Sequence, residues 1–238
     1  MADNKYKKHS GDIFWIVLLC SVCACIAVFA AIQLAADTKP YRDASREYKN
    51  LRKTNIFQSA ATDTPITTPS DINPDYVGWI TIDGIDIDYP IVQSEDNDKY
   101  LTTTFEGNEN KLGAIFLDFR CADDFSDPYT IVYGHNAQNG SMFGSLAELL
   151  TMDEKYPDIN ITLPNDKALT YRVYAVRQTD ITDPAYRLDF ADDEDITAFA
   201  ADMGASDSDH LLILSTCANS GDLDDRIVVL AVQIETDD

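Results

Sequence analysis

Histidine is nearly absent from this chain of 238 residues: only His9, His135 and His210 occur. Cysteine is also sparse, with five in all. Cys20, Cys23 and Cys25 fall in one apolar run, where they read as small apolar residues, since a CxxC redox pair has no use in hydrocarbon. Only Cys121 and Cys217 remain for the folded part, which excludes a disulfide framework. Positive charge is scarce too, and unevenly placed. Residues 1–53 hold nine Lys/Arg against five Asp/Glu, while the remainder holds nine against 36, giving the formal net charge of −23. A domain this acidic repels nucleic acid and anionic lipid, so neither is expected as its partner. Neither Asp123, Asp124 and Asp127 nor Asp192 to Asp195 has the spacing or glycine of a calcium loop. No cofactor or metal ligand set is read from the sequence.

One long uncharged run is present. Ile13 to Ala36 reads IFWIVLLCSVCACIAVFAAIQLAA. Twenty-four helical residues span roughly 36 Å, enough for a bilayer core of about 30 Å. Cleaved signals have shorter apolar stretches of about 7–15 residues. A retained single-pass anchor is therefore expected, with residues 1–12 as a cytoplasmic tail and the bulk of the chain outside the cell. Lys5, Lys7 and Lys8 precede the span and Lys39, Arg42, Arg46, Lys49, Arg52 and Lys53 follow it. Charge counting alone opposes that orientation, but long domains translocate largely regardless of charge.

Residues 37–74 read as an amphipathic helix and a linker. Tyr41, Ala44, Tyr48 and Leu51 recur at helical spacing between Pro40 and Lys53, which predicts a helix packed on the following domain. Ser59 to Pro74 is rich in Ser, Thr and Pro. The main domain, 75–238, is mostly β. Ile80 and Ile82 alternate, Asp83-Gly84 predicts a two-residue turn, and Ile85, Ile87 and Tyr89 alternate on the return. Further strands are predicted at 113–118, 129–133, 159–163, 169–177, 211–216 and 227–234, with helices at 141–150 and 192–203. Many short strands with occasional helices predict a closed barrel or a sandwich.

The chemistry-bearing residues are few. Cys217 ends the run LLILSTC. A thiol there suits a nucleophile on a rigid scaffold, and equally a small core hydrophobe. His210 starts the same run. Seven residues of strand cover roughly 23 Å, which separates His210 from Cys217. His135 follows YTIVYG at a Gly-His-Asn turn and is the remaining candidate acid and base. Arg226 is the sole Lys or Arg after Arg187. It opens the last strand, and antiparallel pairing across the turn 218–225 would return it beside Cys217. There a guanidinium can donate to the oxyanion that forms when sulfur attacks a carbonyl. A surface arginine neutralised by Asp224 or Asp225 is the alternative.

These residues carry a resemblance. Asn73-Pro74-Asp75 to Val77-Gly78-Trp79-Ile80, YPIVQ at 89–93, Asp96-Asn97 with Tyr100-Leu101, GAIFLD, YGHN at 133–136, MFGSL at 142–146, and LSTC at 214–217 with Arg226 run in the order of a sortase. The stretch 179–209 resembles the long insertion of class B, and the preceding helix fits that class. The aromatic Asp-Pro lid and C-terminal membrane helix usual in class C are not found. The resemblance covers residues 70–235. It implies a closed eight-stranded β-barrel with flanking helices and a helix-containing insertion between late core strands. It implies a cysteine transpeptidase with Cys217, His135 and Arg226 as catalytic residues, and Asn97, Tyr186, Ser215 and Thr216 as substrate contacts. Its partners would be surface proteins bearing a C-terminal sorting motif, cleaved after threonine through a thioacyl enzyme, and an amine of the peptidoglycan precursor. A secreted cysteine hydrolase using water, or a surface-binding domain without activity, are the competing readings. The resemblance gives Cys121 no role.

Overall fold

The computed structural model describes residues 3–58, 68–137, 139–153, 155–205, 210–217 and 225–234, with Cys217 described by its backbone position. The chain divides into two units, 1–43 and 44–238. Helix α1 (Asp3–Gln58) accounts for the described residues of the first unit and opens the second. Within it lies a stretch long and apolar enough to cross a membrane, with a window of mean hydropathy 2.8 and no buried residues. Separate helices at 13–36 and from Pro40 were expected. Instead Pro40 lies inside α1. Pro40 has no N–H to donate to the Ala36 carbonyl four residues back, yet the helix runs on through it.

The second unit is a closed barrel. Its strands are β1 (Tyr76–Ile82), β2 (Ile87–Val92), β3 (Ile115–Leu117), β4 (Tyr129–His135), β5 (Ile159–Thr162), β6 (Ala168–Thr179), β7 (Leu211–Cys217) and β8 (Arg226–Ile234). They close in the order β1-β2-β3-β4-β7-β8-β6-β5, and β1 seals against β5 from Trp79↔Thr162 to Ile82↔Ile159. That closure decides barrel over sandwich. It leaves no open sheet edge. Two pairs, β2 with β3 and β4 with β7, are parallel.

The continuous apolar runs of β7 and β8 follow from burial on both faces. One face fills the barrel. The other is covered by the insertion between β6 and β7, which carries a 3-10 turn (Pro184–Tyr186) and α2 (Asp193–Asp202). Ala185 and Ala200 join Tyr129, Ile131, Leu211, Ile213, Val228 and Leu230 in one cluster, with Phe190 and Phe199 against it. Each large aliphatic side chain buried there contributes about 1.5–3 kcal/mol.

Several local features differ from the sequence reading. Ile82 pairs with Ile87, so the hairpin loop is four residues, 83–86, not two. Gly84 takes φ 92°, and Ile85 tucks into the core rather than continuing a strand. The segment 144–151 is a 3-10 helix. Within the predicted linker, Pro69–Ile72 forms a single helical turn held by a reciprocal cap between Thr68 and Asp71, while 59–67 lies outside the described residues. The turn at 218–224 also lies outside them. Of the face predicted to pack, Ala44, Tyr48 and Leu51 are buried in the second unit, whereas Tyr41 falls in the first unit and is half-buried.

Candidate active site

Strand register assembles the site. β4 and β7 run parallel from Tyr129↔Leu211 to His135↔Cys217, so both strands end at one rim of the barrel. β7 and β8 run antiparallel from Leu211↔Val232 to Ser215↔Val228. Carried two residues further, that register sets Arg226 level with Cys217. The Ile227 N–H donates to Thr216 Oγ1 at 2.9 Å, which ties the two strand ends together. His210 lies at the other end of β7, its carbonyl accepting from Gln233 N. The strand-length argument against it therefore holds.

The His135 ring is oriented by a backbone carbonyl. Its Nε2 lies 2.6 Å from Leu101 O. A carbonyl only accepts, so Nε2 carries the hydrogen and the neutral ring keeps its lone pair on Nδ1. Buried Nδ1 has no hydrogen-bond partner among the described residues. Leu101 ends a 3-10 turn (Lys99–Leu101) packed on Gly113. Gly113 has φ 54°, and a Cβ there would stand 2.1 Å from Tyr100 O and 2.8 Å from Leu101 O. Only glycine fits. Gly134, just before His135, is as confined, with Ile115 Cδ1 at 2.5 Å and the Phe143 ring at 2.7 Å from a notional Cβ. The sequence gives little hint of Leu101 as a functional group, because a carbonyl belongs to every residue. The one signal is its place in the motif Tyr100-Leu101.

An open cleft of about 280 Å³ lies at this rim. Asn97, Tyr186, Thr216 and Arg226, all expected as site residues, line it together with Leu101. Phe116, Tyr133 and Ile181 add an apolar wall that sequence reasoning does not single out. Ser215 does not face the cleft. It is fully buried, because the insertion covers the outer face of β7, and its hydroxyl shares a 2.7 Å hydrogen bond with Tyr186 OH. That hydrogen bond supports Tyr186, which lines the cleft. Arg226 Nη1 donates to the Asp225 carbonyl at 3.1 Å.

Beneath the cleft sits a buried carboxylate. Asp118 is fully buried and accepts from Arg120 Nε at 2.9 Å, Arg120 Nη2 at 2.8 Å, Asn97 Nδ2 at 3.0 Å and Tyr133 OH at 3.0 Å. Burial alone pushes its carboxyl up, but the Arg120 guanidinium and backbone N–H and the Asn97 amide outweigh that and hold it below the usual carboxylate range. Asn97 also accepts from Phe119 N at 3.1 Å. Asp118 therefore fixes two cleft residues at once.

The remaining chemistry-bearing groups are occupied elsewhere. Cys121 is a free, buried thiol raised to about 11, first by burial. Asp124 and Asp127 accept from Ser126 N and Ala122 N, and Asp192 caps α2. Among the described residues no group of three or more His, Cys, Asp or Glu is arranged to hold a metal.

Known proteins match this chain closely. A family model of the sortase domain matches residues 80–234. Sortase B of Listeria monocytogenes is 33% identical over 179 residues, covering 69% of this chain and 72% of the relative. Sortase B of Staphylococcus aureus is 32% identical over 173 residues, covering 67% and 70%. A Staphylococcus aureus sortase B–substrate complex superposes with a TM-score of 0.71 at 27% identity, over 82% of this chain and 98% of that one.

Proposed function

The chain belongs to the sortase family as a class B cysteine transpeptidase, and from that premise we propose that Cys217, His135 and Arg226 are its catalytic residues. The observation that carries this assignment is the pairing of His135 with Cys217 at the ends of two parallel strands. The thiolate of Cys217 attacks the carbonyl carbon of threonine in a C-terminal sorting motif. Negative charge gathers on the carbonyl oxygen, and the Arg226 guanidinium stabilises it. The intermediate collapses, the C–N bond breaks, and imidazolium His135 gives its proton to the departing amine. A thioester to Cys217 remains. An amine of the peptidoglycan precursor then attacks that thioester and loses a proton to His135. The new amide forms as the C–S bond breaks, which returns Cys217 as thiolate beside imidazolium His135. Nδ1 is the ring atom suited to exchange the proton, since Leu101 O occupies Nε2.

Asn97, Tyr186 and Thr216 hold the substrate peptide in the cleft. The protein is anchored by residues 13–36, with 1–12 as cytoplasmic tail, 37–74 as helix and linker, and 75–238 outside the cell. The uncharged, exposed stretch of α1 supports the anchor. Its substrates are surface proteins carrying the motif. The test is to incubate full-length protein in detergent with sorting-motif peptides, with and without an added amine. Amide product formed only with the amine, in preference to free acid, is expected. Free acid alone at any amine concentration would identify a hydrolase and sink the transfer step.

A further inference from the structure

The part of α1 within the second unit does more than cover apolar surface. Tyr48 is 3% exposed, yet its hydroxyl donates to Gly113 O at 2.8 Å and accepts from Phe105 N at 3.4 Å. Gly113 is the residue against which Tyr100 O and Leu101 O are packed. Ala114 N locks the same turn by donating to Tyr100 O at 3.0 Å. The Leu101 carbonyl in turn holds His135 Nε2. A helix residue 87 positions earlier in the chain thus reaches the imidazole through one glycine and one carbonyl.

A second route runs from the same helix. The Tyr48 ring meets the Tyr89 ring edge-on at 5.2 Å, and the Arg52 guanidinium lies 4.5 Å over Tyr89. Tyr89 OH accepts from Met142 N at 3.1 Å. Met142 sits at φ 57°, a backbone conformation that a side-chain-bearing residue keeps only when its surroundings fix it. It bridges Asn136, and its neighbour Phe143 donates its N–H to His135 O at 3.0 Å. One route fixes the ring and the other fixes its backbone.

We infer that Tyr48 and Tyr89 are positioning residues for His135, acting through Gly113 and Met142. This rests on the proposed role of His135 as acid and base. Neither tyrosine lines the cleft. Losing either hydroxyl therefore leaves peptide binding intact and misplaces the proton carrier, and a displacement of about 1 Å can cost up to a hundredfold in rate.

The test compares full-length wild type, Tyr48→Phe, Tyr89→Phe and Cys217→Ala in detergent. Each Tyr→Phe change keeps the ring and removes only the hydroxyl. We expect wild type to transfer and Cys217→Ala not to. Each Tyr→Phe variant should lose about tenfold in kcat at a KM within about twofold of wild type. Long-range nitrogen NMR with histidine-selective labelling should show His135 as one tautomer, hydrogen on Nε2, in wild type and as a mixture in Tyr48→Phe. Wild-type kcat in a folded Tyr48→Phe variant, or a kcat loss without a change in the His135 signals, overturns the inference. If Tyr48→Phe does not fold, Tyr89→Phe decides on the kcat and KM criterion. Undiminished transfer by Cys217→Ala would instead sink the catalytic assignment, and the inference with it.

Discussion

His135 and Cys217 are register partners in the parallel pair β4/β7, at the last paired position of both strands. Adjacent strands in a sheet stand about 4.8 Å apart, so this pairing holds the two residues side by side without any loop having to place them. The bond network of the barrel fixes the distance between these two strand ends, and β8, which Arg226 opens, flanks β7 on its other side.

Replacing Arg226 should remove transition-state stabilisation and little else. Arg226→Ala is expected to lower kcat/KM by about 10²–10³, the scale of a lost oxyanion donor. Arg226→Lys should recover only part, because an ammonium lacks the planar fork. Steady-state kinetics give the comparison, and thermal melts within a few degrees of wild type would show that the barrel is retained.

Gly113→Ala and Gly134→Ala should both destabilise the protein, by about 1–3 kcal/mol for the overpacking at Gly134 and more at Gly113, where backbone carbonyls block the new methyl. Gly113→Ala also pushes on Leu101 O, so the surviving folded fraction should be less active per molecule. Denaturant titration combined with active-site counting separates the two effects.

Asp118 makes stability depend on pH in one direction. Its folded-state carboxyl titrates below its unfolded value, so its contribution is present above the ordinary carboxylate pKa of about 4 and is lost as pH falls through the lower folded value. Asp118→Asn should therefore cost about 1–3 kcal/mol at neutral pH, with the gap to wild type closing below about pH 4. Melting curves from pH 7 to pH 3 measure this. A constant gap would contradict the pairing with Arg120.

Much of this is legible in the chain itself. The apolar runs at 211–216 and 227–234 announce central strands, and the isolation of Arg226 draws attention to the strand beside Cys217. Strand length alone excludes His210 as the partner of Cys217. What the residue pattern does not reveal has physical causes. The burial of Ser215 depends on an insertion packing over the outer face of β7, which no alternation pattern records. Asp118 looks like one more surface acid among 41 acidic residues, and only its closing on Arg120, Asn97 and Tyr133 singles it out. The hold of Leu101 on His135 is made by a backbone atom, invisible in residue identity. Helical spacing shows that Tyr48 is on a packed face, but not that its hydroxyl reaches a carbonyl 65 residues away.

The measurement that bears most directly on the central claim is intact and peptide-level mass spectrometry of the full-length protein incubated with sorting-motif peptides. A thioacyl adduct ending in threonine on Cys217 is predicted, absent in Cys217→Ala and discharged when an amine is added. An adduct on another residue, or acyl transfer that survives Cys217→Ala, would contradict it.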